Sequence, residues 1–130
     1  MKRYLLDTNM VSHLIRQQPA VCQRIQSVPM TSLCISAITE AELLFGLAKR
    51  PEANKLHALI HAFLLRVDVL PWKSAARYGN IRAELERQGK QLGALDLLIA
   101  TQALDIGAVL VSNDQAMRQV AGLLVEDWTE

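Results

Sequence analysis

Residues 108–114 read AVLVSND, an unbroken apolar run that stops at three polar residues. A short, continuous run of this kind is typical of a strand that is buried on both faces of a parallel sheet. The segment RYLLDTN at 3–9 also passes from an apolar run to polar residues, and Asp7 and Asp114 each come shortly after such a run. The two segments therefore predict two strands, each followed by an acidic residue.

Strands and helices are predicted to alternate along the rest of the chain. Apolar runs predict further strands at 33–35, 67–70 and 123–125. Apolar residues at helical spacing, bounded by capping residues, prolines or glycines, predict the helices. These begin at Thr8 and at Pro19, run from the Ser36–Thr39 region to about Lys49, and cover 52–66, 73–88 and 95–106. Such alternation predicts an α/β fold with helices on both faces of a parallel sheet.

The composition is that of one ordinary globular domain spanning 1–130. Hydrophobic residues make up 51% of the chain and charged residues 21%, which is enough apolar material for a core. The formal charge of +1 gives no sign of nucleic-acid binding by itself. No apolar segment reaches membrane-spanning length without a charge, and Asp7 interrupts the N-terminal apolar run. We therefore expect a cytoplasmic protein without a membrane partner.

Four carboxylates fall where the functional crevice of a parallel sheet is expected, outside the carboxyl ends of the strands. Asp7 and Asp114 follow two strands, and Glu42 and Asp96 lie near the starts of two helices. Four carboxylates in one pocket repel each other unless cations neutralise them. An all-oxygen site without histidine or cysteine suits Mg²⁺ or Mn²⁺ rather than zinc. Such an ion activates water and stabilises charge on a phosphate, so the pattern indicates phosphodiester hydrolysis.

Each carboxylate also has a purely structural interpretation. Asp7 can simply cap the first helix, and Glu42 can close a capping box that opens at Thr39. An acidic residue in the first turn of a helix is favoured by the helix dipole alone. The capping explanation is weakest just after the strands, because Thr8 and Ser112 stand there ready to cap instead.

Four segments resemble the motifs of the PIN-domain ribonucleases, in the order of that family: LLDTN at 5–9, ISAITEAELLFG at 35–46, LDLLIATQAL at 95–104 and LVSND at 110–114. The resemblance covers nearly the whole chain and is strongest to the VapC toxins of VapBC toxin–antitoxin systems. It implies a single PIN domain over 1–130, a three-layer α/β/α sandwich with a short, mostly parallel central sheet. It also implies a set of catalytic and metal-binding residues, Asp7, Glu42, Asp96 and Asp114, supported by the polar neighbours Asn9 and Ser112.

The resemblance further implies an activity and its partners. The expected activity is a Mg²⁺- or Mn²⁺-dependent endoribonuclease, the toxin of a type II toxin–antitoxin system. It would cleave structured RNA, with tRNA as the expected substrate, through metal-activated water and so inhibit translation. Expected partners are a VapB-type antitoxin that covers the active site and a second copy in a homodimer within a toxin–antitoxin hetero-oligomer. Helices at 10–17, 20–27 and 56–66 offer apolar side chains for a partner, although core packing is the commoner explanation.

A basic strip covers residues 73–90, where five basic side chains stand among two acidic ones: Lys73, Arg77, Arg82, Arg87 and Lys90 against Glu84 and Glu86. On charge alone, a solvated helix face is the commoner explanation. With the resemblance in view, we expect Arg82, Arg87 and Lys90 to bind the RNA phosphates that flank the cleaved bond.

Two other functions fit parts of the pattern. A haloacid-dehalogenase-like phosphatase carries its nucleophile directly after the first strand, but it needs a second aspartate where this chain has Asn9. A catalytically inert PIN-like module would bind RNA or protein without cleaving it. Degenerate modules usually lose carboxylates, whereas this chain keeps all four, which favours an active enzyme.

Overall fold

One five-stranded parallel sheet forms the centre of the fold in the computed structural model, which describes residues 2–130. The strands are Tyr4–Leu6 (β1), Leu33–Ser36 (β2), Asp68–Leu70 (β3), Val109–Val111 (β4) and Val125–Glu126 (β5). They lie in the order β3-β2-β1-β4-β5, and every neighbouring pair is parallel. The predicted strands and the α/β sandwich are confirmed, with strand bounds shifted by at most two residues.

The helices are Thr8–Ile15 (α1), Pro19–Gln26 (α2), Ala37–Ala48 (α3), Asn54–Arg66 (α4), Ala75–Arg87 (α5) and Ala94–Ile106 (α6). Pro19 occupies the first turn of α2, as predicted. The prediction of a capping box that opens at Thr39 is wrong, because α3 begins three residues earlier than such a box requires. Its cap is Ser36, whose Oγ accepts the N–H of Ile38 at 3.0 Å. Within residues 2–130 no helix has the length and apolar character needed to cross a bilayer.

Helices pack on both faces of the sheet because successive side chains of a strand point to opposite sides. Leu5 and Leu6 are neighbours in β1 and lie in different cores. One core lies under α1 to α4 and includes Leu6, Met10, Val11, Ile35, Leu43, Ile60, Val111 and Trp128. The other lies under α5 and α6 and includes Leu5, Cys34, Leu85, Leu97, Ala100, Leu110 and Met117. The continuous apolar runs of the sequence follow from this two-sided burial.

The chain changes direction across the sheet at β1, which creates a crevice. From β1 the chain proceeds outward to β2 and β3, and it then returns to the other side of β1 to form β4 and β5. Leu6 pairs with Val111 at the ends of β1 and β4, and the N–H of Asp7 donates to the carbonyl of Val111 at 3.1 Å. Ligand sites of open parallel sheets lie beyond the carboxyl ends of the strands at such a switch point.

Gly107 ends α6 and turns the chain toward β4. Its φ of +69° lies in the left-handed region, where a side chain costs about 1 kcal/mol or more. The N–H of Ala108 donates to the carbonyl of Ala103 at 2.9 Å, which satisfies one of the last carbonyls of the helix.

The two substitutions Gly79→Ala and Gly107→Ala add the same methyl group at positions where no heavy atom lies within 4 Å, yet they should change stability in opposite directions. Gly79 lies inside α5, so alanine should raise the free energy of unfolding by about 1 kcal/mol. Gly107→Ala should lower it by about 1 kcal/mol, because the φ is positive. Urea denaturation measures both changes, and a stabilising Gly107→Ala would contradict the left-handed helix end.

Candidate active site

Asp7 is buried at the carboxyl end of β1, with 4% of its surface exposed. Its Oδ1 accepts the N–H of Met10 at 2.8 Å, so it is the N-cap of α1. The expectation that Thr8 would take this capping role is therefore wrong. Burial raises the pKa of Asp7, the charges of Asp96 and Asp114 raise it further, and hydrogen bonds from Ser112 and Met10 oppose the rise. The structure thus holds a carboxylate in an environment that disfavours its charge.

Asp114 lies after β4, beside the position of Asp7, and is half-buried. It caps the short 3-10 helix Gln115–Gln119, with its Oδ1 accepting the N–H of Ala116 at 2.9 Å. Ser112 does not cap this helix, contrary to expectation. Its buried hydroxyl instead accepts the N–H of Asp114 at 3.0 Å, and its polar influence on the carboxylate of Asp7 lowers the pKa of that group. Ser112 therefore affects both acidic residues that follow β1 and β4.

Asp96 lies in the first turn of α6 and is half-buried. Burial raises its pKa, and the charges of Asp114 and Glu42 raise it further. A Cβ at Gly93 would lie 3.3 Å from its Oδ2, closer than most side chains tolerate. Gly93 therefore lets the loop before α6 approach the carboxylate. This role is not predicted from the sequence, where the one indication is a glycine three residues before an acidic residue.

Glu42 is anchored to the opposite side of the crevice by threonines. The Thr8 hydroxyl donates to Glu42 Oε1 at 2.5 Å, and the hydroxyl of the fully buried Thr39 lies 3.3 Å from that of Thr8. Because a hydroxyl carries one proton, Thr8 donates to Glu42 and accepts from Thr39. From the sequence, both threonines are candidates for helix caps. Their role in holding Glu42 is indicated in the sequence only by their positions, since Thr8 directly follows Asp7 and Thr39 precedes Glu42 by one helical turn.

Each of the four predicted carboxylates interacts electrostatically with at least one of the others. The charges of Asp96 and Asp114 raise the pKa of Asp7, and those of Asp114 and Glu42 raise the pKa of Asp96. None of the ion pairs within residues 2–130 involves any of them, so no lysine or arginine neutralises the group. As the side chains stand, the described part of the chain contains no group of three or more histidine, cysteine or acidic residues arranged to hold a metal ion. Their role as metal ligands therefore stays a prediction.

Asn9, the other predicted supporting residue, is exposed on α1. Its side chain takes part in none of the hydrogen bonds found among residues 2–130. The structure thus separates the two supporting residues: Ser112 is built into the acidic group, and Asn9 is not.

The basic residues expected to bind RNA differ in their contacts. Arg82 pairs with Glu86 at 3.1 Å, and Arg87 pairs with Glu84 at 2.5 Å, so both cations are engaged on α5. Lys90 is exposed and forms no ion pair in the described residues. The simple solvated-face interpretation therefore fits Arg82 and Arg87 better than Lys90.

Comparison with known proteins identifies the family of this chain. A family model for the PIN domain matches residues 4–123, which include all four carboxylates. The chain is 38% identical to "Ribonuclease VapC2" of Haemophilus influenzae, over 98% of this chain and 99% of that protein. It is 36% identical to the "tRNA(fMet)-specific endonuclease VapC" of Shigella flexneri, over 99% of this chain and 100% of that protein.

A solved structure gives the same result in three dimensions. The crystal structure of DNA-bound VapBC from Salmonella typhimurium superimposes with a TM-score of 0.90 at 33% identity, covering 98% of this chain and 99% of that one. Family match, sequence identity and fold agree over nearly the full length. This chain therefore belongs to the PIN-domain family and, within it, to the VapC endoribonucleases.

Proposed function

We propose that this endoribonuclease is a toxin that uses Asp7, Glu42, Asp96 and Asp114 to hold Mg²⁺ or Mn²⁺ and to cleave structured RNA. One observation supports the proposal: Asp7 and Asp114 follow neighbouring strands at the switch point of the sheet, neighbouring carboxylates raise the pKa of Asp7 and of Asp96, and no basic side chain within residues 2–130 pairs with any of the four. Such a group needs a cation, and its all-oxygen chemistry suits a hard divalent ion.

The residues present fit such an ion chemically. Asp7 and Asp114 each use Oδ1 for capping, and a carboxylate has room for further partners on its second oxygen. Glu42 uses Oε1 for Thr8, so its Oε2 stays available. When bound, a divalent ion supplies positive charge that makes water more acidic and stabilises the charge building on a phosphate.

Hydroxyl side chains of the protein orient polar groups around the crevice. Thr8 holds Glu42 relative to α1, and Ser112 accepts the backbone N–H of Asp114 and lowers the pKa of Asp7. Polar neighbours of this kind set the direction of ligating carboxylates and tune a metal site. The raised pKa values of Asp7 and Asp96 show that their charge is costly in the folded chain, which favours cation binding.

The substrate proposed for this chain is structured RNA, with tRNA as the first candidate, and its cleavage would inhibit translation. The relative from Shigella flexneri, 36% identical, is named for specificity toward tRNA(fMet). Proteins read RNA sequence mainly in unpaired loops, where bases are accessible. The expected place of cleavage is therefore a single-stranded segment of a folded RNA.

A VapB-type antitoxin is the partner we propose for the groove between α1, α3 and α4. The solved relative from Salmonella typhimurium is a VapBC complex. A cavity of about 320 Å³ extends from Thr8 and Glu42 along apolar side chains that include Ile15, Leu56 and Ile60. An amphipathic antitoxin helix in this cavity would cover one end of the acidic crevice. A second cavity, which shares Ile15 and Leu56 with the first and adds Leu59, forms the extension of this groove. The helix predicted at 20–27 as an antitoxin contact, α2, lines neither the groove nor its extension, so that prediction finds no support.

A second copy of the chain completes the proposed assembly as a homodimer within the toxin–antitoxin hetero-oligomer. Leu44 and Phe45 on α3 and Leu95 on α6 are large apolar side chains that are 41%, 62% and 45% exposed. A subunit contact would remove this apolar surface from water.

The inert PIN-like module is the competing proposal. It would require the acidic group to have no catalytic task, although the chain keeps all four carboxylates and holds Glu42 with the hydroxyl of Thr8. The phosphatase alternative is set aside, because the chain has Asn9 in place of the second aspartate and belongs to a nuclease family.

Asp7→Asn should abolish metal-dependent cleavage while leaving the fold intact. Asparagine caps a helix as well as aspartate does, but it lacks the charge that a metal ligand needs. We expect cleavage of total tRNA in Mg²⁺ to fall by at least about a hundredfold, which corresponds to losing a few kcal/mol of transition-state stabilisation. Asp68→Asn is the matched control, since Asp68 lies in an exposed ion pair with Arg3. Equal cleavage by Asp7→Asn and the unsubstituted chain would refute the assigned site.

Asp96→Asn should raise the thermal midpoint of the metal-free protein at neutral pH by a few degrees. The folded-state pKa of Asp96 is raised, so its ionisation destabilises the fold above the ordinary pKa of 3.8. The advantage of the variant should therefore shrink as the pH falls toward 3.8 and both proteins become uncharged at this position. Melting curves in EDTA measure the difference. A clear loss of stability would show that Asp96 serves α6 as a structural residue.

Leu59→Lys should weaken antitoxin binding at least tenfold without changing RNA cleavage. Leu59 is 40% exposed and lines the extension of the antitoxin groove, where a charge would lose its water on binding. Leu65→Lys is the control, because Leu65 is on the same helix, is 88% exposed and lines neither cavity. Calorimetric titration with the cognate VapB-type antitoxin gives both affinities. Equal affinities would place the antitoxin elsewhere.

A further inference from the structure

A cavity of about 490 Å³ lies between the end of α5 and the start of α6 and is not used by the site described above. We call it the α5–α6 pocket. Its walls are Tyr78, Arg82 and Leu85 on α5, Lys90 and Leu92 in the loop, and Leu97 on α6. Its volume is within the range of small-molecule binding sites.

The α5–α6 pocket adjoins the acidic crevice through the first turn of α6. Ala94 and Leu97 line the pocket, and Asp96 lies between them in the sequence. An α-helix is about 10 Å across, so the pocket and the Asp96 carboxylate are separated by no more than about one helix diameter. A polymer that lies with one phosphate at the carboxylates therefore places a neighbouring unit at the pocket.

The α5–α6 pocket carries a net positive charge, which favours the binding of an anion. Arg82 and Glu86 pair with each other at 3.1 Å and contribute no net charge. Lys90 has no ion-pair partner in the described residues and leaves the pocket with a positive charge. The basic strip of the sequence thus has one free cation beside this cavity, and an RNA phosphate is the anion that an endoribonuclease brings to it.

The remaining walls suit an unstacked base. Leu85 and Leu97 are buried apolar side chains. The half-buried ring of Tyr78 is held in an edge-to-face contact with Trp72, at 6.1 Å between centroids and 79° between planes. Its hydroxyl accepts a hydrogen bond from Arg82 Nη1 at 3.1 Å, which fixes the ring from the other end. A rigid aromatic ring beside apolar walls and a lysine is how proteins hold bases of single-stranded RNA.

We propose that the α5–α6 pocket receives an unpaired nucleotide of the substrate RNA next to the cleaved bond, with Lys90 binding its phosphate and Tyr78 packing against its base. This inference rests on the ribonuclease function proposed above and identifies where the enzyme contacts a nucleotide of its substrate. Arg82 then positions the Tyr78 ring, and Arg87, paired with Glu84, contacts no RNA.

Binding of RNA in the absence of metal tests the lysine. The probe is a short fluorescein-labelled single-stranded RNA of mixed sequence, added to the full chain in EDTA at several salt concentrations. Lys90→Gln should weaken binding roughly threefold to tenfold and reduce the slope of log affinity against log salt by about 0.7, the value for one contact to a single strand. Lys73→Gln is the control, because Lys73 is an equally exposed cation of the same basic strip that does not line the pocket.

The same assay tests the ring. Tyr78→Leu should weaken RNA binding about fivefold or more, the lower limit for one base stacked on an aromatic side chain. Tyr78→Phe keeps the ring and should retain most of the affinity. Melting curves of both variants show that each is folded at the assay temperature, so a loss confined to Tyr78→Leu reports the ring.

Equal affinities and equal salt slopes for Lys90→Gln and Lys73→Gln would overturn the inference and place the RNA on another surface. The unsubstituted chain is assayed in parallel with total tRNA and Mg²⁺. Cleavage there, together with equal binding by the two lysine variants, removes the pocket and leaves the ribonuclease proposal intact. Absence of tRNA cleavage by the unsubstituted chain counts against the proposed function instead.

Discussion

Repulsion among four like charges at one edge of the sheet is the constraint on which the rest of this structure depends. Parallel pairing of β1 with β4 brings Asp7 next to Asp114, and Asp96 and Glu42 approach from helices on the two sides. Asp7 is almost fully buried, and an uncompensated buried charge costs several kcal/mol. No lysine or arginine within residues 2–130 forms an ion pair with this group, so its carboxylate charges lower the stability of the fold.

Secondary structure holds these charges in place. Asp7 caps α1 and Asp114 caps a 3-10 helix, so each carboxylate is fixed by a backbone N–H that needs an acceptor. Capping and function are not alternatives here, because a cap uses one oxygen and leaves the other available. Hydroxyl groups complete the arrangement, with Ser112 accepting the backbone N–H of Asp114 and Thr8 holding Glu42. The local rules that start helices therefore also orient the acidic group.

The sequence predicts the fold well because two-sided burial leaves a strong pattern. Apolar runs such as 108–111 identify strands, and acidic residues just after them identify the crevice edge. The capping predictions hold for Ser36 and for Asp7 but fail for Thr8, Thr39 and Ser112, because serine, threonine and aspartate compete for the same backbone N–H groups and the position of the first helical turn decides among them. Thr39 illustrates this, since α3 starts at Ala37 and turns Thr39 toward Thr8.

The sequence alone does not predict the contacts of the basic residues or the positions of the cavities. Arg82 and Glu86 are one helical turn apart, so their pairing is a local possibility, but whether Lys90 stays free depends on the loop that follows α5. The α5–α6 pocket is lined by residues of two helices and of the loop 88–93 between them, and the spacing of residues along the chain does not predict such a cavity.

Anomalous X-ray scattering from a crystal of the full chain grown with Mn²⁺ tests the central claim most directly. We expect an anomalous peak among the carboxylate oxygens of Asp7, Glu42, Asp96 and Asp114. A manganese peak found only elsewhere, with these carboxylates free of metal, would contradict it.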